Sequence, residues 1–280
     1  MLSKSLFRTS ESIEITMKYL AYGLLVNLMI LTACAESASS INNEENFFMG
    51  KSTTQQDIII GDLGGVPVEM PSNSVRLVEY NGDPDWGESF EDAVPKRNYE
   101  SKISSFGFDV RYTDGALYDG VVVNISDEYE AQKNLSYSPW VSVGVNSGNR
   151  YYGSGGIDRI GQGTINARPD RHPTSIYTKI PDTLYGLEVY ASPGIDPKTN
   201  TPWREDRYAE DIFIKRDDNE TIATYIKCSN REVERPPCTH YFDLEPDMKL
   251  DVYVSYSRYV LKDWQQIEQV VRNTLLEFRK

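Results

Sequence analysis

Two histidines and three cysteines are the residues best suited to chemistry in this chain of 280 residues. His172 lies in the polar run RPDRHPTS beside Asp170, and His240 begins a strand-like run. Catalytic triads and zinc sites need a histidine together with further nucleophiles, acids or ligands. Because HExxH, CxxC and GxSxG patterns are absent, we interpret His172 as a solvated loop residue and His240 as a hydrogen-bonded structural residue. We expect no enzymatic activity, no cofactor and no metal site.

Carboxylates are abundant, since the chain has 42 Asp and Glu residues, so a pair suited to glycoside hydrolysis carries no information by itself. The mixed-sign string at 204–207 (REDR) is interpreted as a solvated loop. An acidic segment contains Asp83, Asp85, Trp86 and Glu88 but lacks the DxDxDG spacing of a calcium loop. Two interpretations of this segment stay open, a solubilising loop and a surface that binds a basic patch on another protein.

Cys34 lies at the end of a predicted secretion signal. Met17-Lys18 begins a short positive region, and the apolar run at 19–31 (YLAYGLLVNLMIL) is too short to span a bilayer, which takes roughly 20 residues. The small residues Thr32 and Ala33 before Cys34 fit a bacterial lipobox. We therefore predict a signal peptide at 1–33 with Met17 as the true start, lipidation of Cys34, and anchoring in the outer membrane facing the periplasm.

Cys228 and Cys238 enclose the polar, proline-containing segment CSNREVERPPC. Cysteine pairs in exported proteins usually form disulfides. We predict a structural disulfide that closes this short loop.

The domain organisation follows from composition. Residues 34–56 comprise the lipidated cysteine and a polar, flexible tether. Residues 57–280 are predicted to form the globular part, either one α+β domain or two subdomains divided near 146–184. The net charge of −13 opposes binding to phosphate backbones, so nucleic acid is excluded as a partner.

Alternating apolar and polar residues predict a mainly antiparallel β-sheet, and apolar residues spaced by three and four from Leu261 to Phe278 predict a C-terminal amphipathic helix packed on it. A short helix is predicted at Asp127–Leu135, and 146–175 is predicted to be a long irregular loop. The predicted strands are Ile58–Ile60, Val66–Met70, Ser74–Tyr80, Ile103–Tyr112, Val121–Ile125, Trp140–Val145, Tyr185–Tyr190, Asp211–Arg216, Thr221–Cys228, Thr239–Leu244 and Leu250–Tyr256.

Aromatic residues in acidic or glycine-rich loops are typical of protein-binding hot spots. The predicted partner-binding residues are therefore Asp83, Asp85, Trp86, Glu88, Tyr151, Tyr152, Trp203 and Tyr208. A platform that binds carbohydrate is the competing use of these aromatic side chains.

Several stretches carry a resemblance to a known family: GDLGGVPVEMP, SFGFDVRYTDG, YGLEVYASPG, CTHYFDLEPDMKLDVYVSY and KDWQQIEQVVRNTLLEFR. Over roughly residues 57–280 the chain resembles bacterial lipoproteins that are similar to type VI secretion immunity proteins. The resemblance implies binding of a cognate toxic effector, a basic-cleft hydrolase such as a phospholipase, whose active site would be occluded. The alternatives are an envelope assembly or structural lipoprotein, and a lipoprotein that binds carbohydrate or a small molecule.

Overall fold

The computed structural model describes residues 57–84, 87, 89, 94–166 and 170–280. Predictions for 1–56, including lipidation of Cys34, and for Asp85, Trp86 and Glu88 lie outside these residues. No described helix is long and apolar enough to cross a bilayer. The described elements are β1 (Ile58–Leu63), β2 (Val66–Pro71), β3 (Val75–Tyr80), β4 (Ile103–Arg111), α1 (Val123–Gln132), β5 (Trp140–Asn146), α2 (Gly156–Ile165), β6 (Thr178–Leu184), β7 (Leu187–Ala191), β8 (Glu210–Arg216), β9 (Ile222–Ser229), β10 (Pro237–Asp243), β11 (Asp251–Ser257) and α3 (Trp264–Glu277).

Nine of the described strands form one antiparallel sheet in the order β3-β4-β5-β11-β10-β9-β8-β7-β6, and β1 and β2 pair as a separate hairpin. The C-terminal helix α3 follows the last strand. The predicted fold class, a mainly antiparallel sheet with a C-terminal helix, is confirmed.

The main core lies between one face of the sheet and α3. Alternate residues of neighbouring strands point to this face, so that Val143 and Val145 of β5 lie opposite Val254 and Val252 of β11, all buried. The helix contributes its own apolar stripe, which includes Ile267, Val271 and Leu275. Burying each such side chain contributes about 1.5–3 kcal/mol. Apolar residues recur every two positions in the strands and about every 3.6 positions in the helix, so each element presents one apolar side to this core.

A polar network is buried under α3. His240 is fully buried, its Nε2 donates to Glu268 Oε2 at 3.1 Å, and Thr224 Oγ1 donates to the same oxygen at 2.9 Å. Burial alone would raise the pKa of Glu268, but the hydrogen bond from His240 and the charge of Arg272 lower it below its usual value. The prediction that His240 is a hydrogen-bonded structural residue is confirmed.

The helix α2 covers part of the opposite face, where Ile157 joins Ile212, Ile214 and Tyr225 in a second apolar cluster. The prediction of an irregular loop at 146–175 was therefore wrong for this segment. Glycine disfavours a helix in general, but here Gly161 permits close packing, because an added Cβ would come within 2.7 Å of the Ile222 side chain.

One further prediction was wrong in detail, and one strand was not predicted. The predicted strand Val121–Ile125 instead leads into α1, because Asp119 Oδ1 accepts hydrogen bonds from the backbone N–H groups of Val121 and Val122 and turns the chain away from the sheet. The strand β6 was not predicted, since its side chains are almost all exposed and it lacks an apolar alternation.

Both edges of the large sheet are irregular. In β3 the register shifts near Leu77, which adopts a φ of +53° and is 75% exposed. In β6 the register shifts between Lys179 and Thr183, a stretch that contains Pro181. Bulges, proline and charge are features that disfavour the pairing of an edge with a further strand.

Candidate functional site

A hollow of about 540 Å³ opens where the segment between β9 and β10 meets the 3-10 helix Arg258–Asp263 that leads into α3. Aromatic and cationic side chains dominate its lining. We call it the tyrosine hollow and define it by Tyr137, Tyr185, Arg231, Arg258, Tyr259 and Lys262.

One wall of the tyrosine hollow is the loop between β9 and β10, which a disulfide closes. Cys228 and Cys238 lie directly opposite each other in the two strands and are bonded, so the predicted disulfide is confirmed. The loop carries Arg231 and the exposed Val233. A cross-link at the base of a loop restricts its conformations, and these two side chains are therefore presented from a fixed base.

A buried carboxylate organises the floor beside the tyrosine hollow. The Asp211 side chain is 1% exposed. It accepts hydrogen bonds from Arg204 at 2.9 and 2.7 Å, from Arg258 at 2.5 Å and from Asn230 at 3.1 Å. Burial alone would raise the pKa of Asp211, but these donors lower it below its usual value.

The residues 204–207 are mostly exposed, as predicted for a solvated loop, but the Asp211 network anchors one end of this loop. Arg204 is held by Asp211, and its carbonyl accepts a hydrogen bond from Asn230 Nδ2 at 2.9 Å. The network therefore joins the loop before β8, the disulfide loop and the start of the 3-10 helix into one rigid unit.

The three tyrosines of the tyrosine hollow keep much of their surface in solvent. Tyr137, Tyr185 and Tyr259 are 65%, 51% and 43% exposed, and the rings of Tyr137 and Tyr259 lie 5.1 Å apart. Tyr185 adopts a φ of +55° in the turn between β6 and β7, where its carbonyl accepts a hydrogen bond from Trp264 Nε1 at 3.0 Å. Left-handed backbone at a residue other than glycine costs roughly 1–3 kcal/mol and is concentrated at functional sites.

The chemistry of the tyrosine hollow is that of binding. Its lining has three cationic residues and one acidic residue, Glu232, in a chain whose net charge is −13. It contains no histidine, cysteine or hydrogen-bonded pair of nucleophile and base. Within the described part of the chain, no group of three or more His, Cys, Asp or Glu residues is arranged to hold a metal ion. Tyrosine and arginine are the residues enriched at protein interfaces.

The structure describes five of the predicted partner-binding residues. They lie at two opposite ends of the sheet. Asp83, Tyr151 and Tyr152 follow the C-terminal ends of β3 and β5, whereas Trp203 and Tyr208 precede the N-terminal end of β8. Because β3, β5 and β8 run in the same direction, these two groups lie roughly 20 Å apart along the strands. They do not form one cluster, and none of them lines the tyrosine hollow.

Contacts within the chain occupy several of these residues. Asp83 forms an ion pair with Arg97. The Trp203 ring packs edge-on against His172, whose Nδ1 lies 2.8 Å from Thr174 Oγ1. Tyr208 is 64% exposed and lies under the Arg207 guanidinium.

Tyr151 and Tyr152 lie beside a second buried aspartate. Tyr152 N donates to Asp251 Oδ2 at 2.5 Å, while no described residue donates to Asp251 Oδ1. Burial raises the pKa of Asp251 to about 6, and the nearby charge of Asp243 adds to this rise. Burial also raises the pKa of Tyr151, next to the Glu245 carboxylate.

Sequence reasoning did not find the residues of the tyrosine hollow. One usable signal was Arg231, a cationic residue inside the segment that the two cysteines enclose. No local pattern could have placed Tyr137 next to Tyr259, since they are brought together only by the tertiary fold.

Comparison with known proteins gives one structural similarity. No family model matches the chain, and no curated protein matches it. Among solved structures, the chain is similar to Smlt3025, an immunity protein of the Stenotrophomonas maltophilia type IV secretion system. The two share 17% sequence identity over 80% of this chain and 94% of that chain, with a TM-score of 0.48. A similarity of this size does not assign a function to the chain.

Proposed function

We propose that this chain binds a toxic antibacterial effector protein and neutralises it, acting as an immunity protein. The observation that carries the proposal is the tyrosine hollow, in which three exposed tyrosines and two arginines are held on a rigid base. Such anchors lose little conformational entropy on binding and provide most of the energy of protein interfaces. The resemblance of residues 57–280 to secretion immunity proteins supplies the class of partner.

The proposed mechanism is occlusion of the effector's active site. A basic-cleft hydrolase, such as a phospholipase, would be attracted at long range by the net charge of −13. On contact, an acidic or aromatic group beside its cleft would enter the tyrosine hollow between Arg231 and Lys262. The complex would then block access of substrate to the cleft. Assignment of the effector to a type VI secretion system belongs to the same proposal.

The proposed location is the bacterial envelope. Lipid attached to Cys34, with residues 34–56 as the tether, would hold the globular part at the outer membrane facing the periplasm. Anchoring raises the effective concentration of the inhibitor where an incoming effector reaches its substrate.

The test is affinity capture by the full chain, followed by measurement of toxicity. A captured protein that kills cells when exported alone, and that is neutralised when this chain is co-produced, would support the proposal. Capture of envelope-assembly proteins alone, or of a protein that is harmless when exported alone, would contradict it.

Matched variants then locate the interface. We expect Tyr259→Ala and Arg231→Ala to weaken effector binding by about thirtyfold or more each, since removing a hot-spot residue costs at least about 2 kcal/mol. Tyr208→Ala removes an exposed tyrosine outside the tyrosine hollow and should leave the affinity unchanged. The reverse order would move the interface to the loop that contains Tyr208.

A further inference from the structure

A groove runs along the face of the sheet opposite α3, over strands β3, β4, β5 and β11. It consists of two adjoining hollows of about 290 and 440 Å³ that share Arg76, Ser142 and Ser255. The helix α1 covers one end of this face, where Tyr129 packs against Trp140 and donates to Asp109. At the other end, Tyr253 and the Arg76 side chain are 40% and 42% exposed. We call it the open-face groove. The strand β5, which forms its floor, extends over roughly 20 Å.

An aromatic ring lies directly over a glycine on the floor of the open-face groove. Gly144 lies opposite both Gly107 of β4 and Tyr253 of β11. A Cβ at Gly144 would overlap the Tyr253 ring, so the ring rests directly on the glycine backbone. The sheet covers the side of the ring that meets Gly144, and Tyr253 remains 40% exposed.

Hydroxyl, amide and guanidinium groups surround this ring. Ser105, Ser142, Asn146 and Ser255 point into the same groove. Arg76 is fixed by two hydrogen bonds to Asp109, at 2.6 and 3.1 Å, and its Nη2 also donates to Ser142 Oγ at 2.8 Å. The Arg76 guanidinium and the Ser142 hydroxyl are therefore held in place before any ligand arrives.

Around Tyr253, the charges in the open-face groove are balanced in pairs. Arg76 is paired with Asp109, and Arg150 is paired with Glu79. At the other end of the groove, Lys133 is paired with Glu130, and Arg235 donates a hydrogen bond to Asn134 Oδ1. A strongly anionic or cationic ligand beside Tyr253 would have to compete with an existing ion pair. A neutral ligand with many hydroxyl groups would not, because paired guanidinium and carboxylate groups can still share hydrogen bonds with it.

We propose that the open-face groove is a binding site for a neutral oligosaccharide of pyranose units. A pyranose ring has an apolar C–H face that can stack on the exposed face of Tyr253. Its rim of hydroxyl groups matches the serine, asparagine and arginine side chains around that ring. The extent of the groove along β5 accommodates a chain of sugars rather than a single one. This site is separate from the tyrosine hollow and does not depend on the proposed effector binding.

The experiment titrates the ¹⁵N-labelled full chain with chitotetraose and, separately, with cellotetraose, while amide chemical shifts are recorded. We expect saturable shifts at Ser142, Gly144 and Tyr253, with a dissociation constant of about 1 mM or below for at least one sugar. Binding of both sugars would indicate recognition of the ring and its hydroxyls, and binding of chitotetraose alone would add recognition of the N-acetyl group.

Variants of Tyr253 separate stacking from folding. Tyr253→Leu keeps an apolar cover on Gly144 but lacks a flat ring, and should weaken binding by about tenfold, equivalent to about 1.4 kcal/mol. Tyr253→Phe retains the flat ring and should bind within about threefold of the unchanged chain. Tyr208→Leu, at an exposed tyrosine outside the groove, should have no effect.

Three outcomes would overturn the inference. One is the absence of saturable shifts up to about 10 mM of both sugars; if a captured effector then protects the groove, this face belongs to the protein partner. Another is a set of shifts that maps outside the open-face groove. The third is equal affinity of Tyr253→Leu and the unchanged chain. Failure of effector neutralisation would leave the sugar titration unaffected, so the two proposals fail independently.

Discussion

Asp211 and Asp251 are buried aspartates at opposite ends of the sheet, and their environments differ sharply. Asp211 receives hydrogen bonds from two arginines and an asparagine, whereas Asp251 receives one from Tyr152 N and has no described donor at Oδ1. The pKa of Asp211 is lowered, and that of Asp251 is raised to about 6. Burial is similar at both sites, so the number and charge of the donors decide the direction of each shift.

The two pKa shifts change the stability of the fold in opposite directions. A lowered pKa means that ionised Asp211 stabilises the fold above its unfolded pKa near 3.8, and that this contribution is lost as the pH falls below that value. A raised pKa means that ionised Asp251 costs stability above about pH 6, and that this cost disappears as the pH falls from 6 towards 3.8. At neutral pH the ionised carboxylate therefore stabilises the fold at the Asp211 end of the sheet and destabilises it at the Asp251 end.

The largest expected change in stability is at Asp211. Asp211→Ala leaves Arg204 and Arg258 without their shared carboxylate and should lower the free energy of unfolding by about 3–5 kcal/mol, measured by urea denaturation. Asp218→Ala, in an exposed turn, should change it by less than about 0.5 kcal/mol. Equal effects of the two substitutions would refute the role given to the Asp211 network.

The next effect concerns the disulfide at the same end. Replacing Cys228 and Cys238 by serine should lower the free energy of unfolding by about 3 kcal/mol, since the disulfide no longer restricts the unfolded chain. Hydrogen exchange should accelerate in 229–237 and stay unchanged around Tyr152. If exchange accelerated equally at both ends, the two ends would not be independent.

A smaller change in the opposite direction, a gain in stability, is expected at Asp251. Asp251→Asn removes a charge that is unfavourable at neutral pH and should raise the free energy of unfolding by about 1 kcal/mol at pH 7.5. The difference from the unchanged chain should shrink as the pH falls through 6 and vanish near pH 4. Destabilisation at every pH would show that the carboxylate is satisfied in solution.

The smallest effects are expected for two exposed tyrosines that the sequence suggested as partner contacts. Tyr152→Ala and Tyr208→Ala remove rings that are 51% and 64% exposed. Each should change the free energy of unfolding by less than about 0.5 kcal/mol. A larger loss for Tyr152→Ala would mean that its ring helps to hold the Asp251 site together.

The regular elements of this fold were predictable where a period is visible in the sequence. The alternation in LDVYVSY marks the buried face of a strand, and the spacing from Leu261 to Phe278 marks the buried face of the helix that packs on the sheet. The helix α2 was missed because glycine disfavours a helix in general, whereas the packing of Gly161 against Ile222 is a contact that no local pattern contains. The strand β6 was missed because an edge strand with few buried side chains lacks that alternation.

The candidate site was far less predictable than the fold. The disulfide followed from the two cysteines, but the tyrosine hollow combines Tyr137, Tyr185 and Tyr259 from three distant segments. The signal used for partner contacts, aromatic residues in acidic or glycine-rich loops, selected residues at both ends of the sheet. Local composition identifies exposed aromatic side chains, but it does not state which of them meet in space.

The irregular edges of the large sheet have a consequence for how these molecules behave when crowded. With Leu77 bulged out of β3, and Pro181 and a register break in β6, neither edge offers a continuous row of free N–H and C=O groups. Copies held side by side at high surface density would therefore not polymerise through the edges of their large sheets. Contacts made at these edges must then rely on side chains rather than on strand pairing.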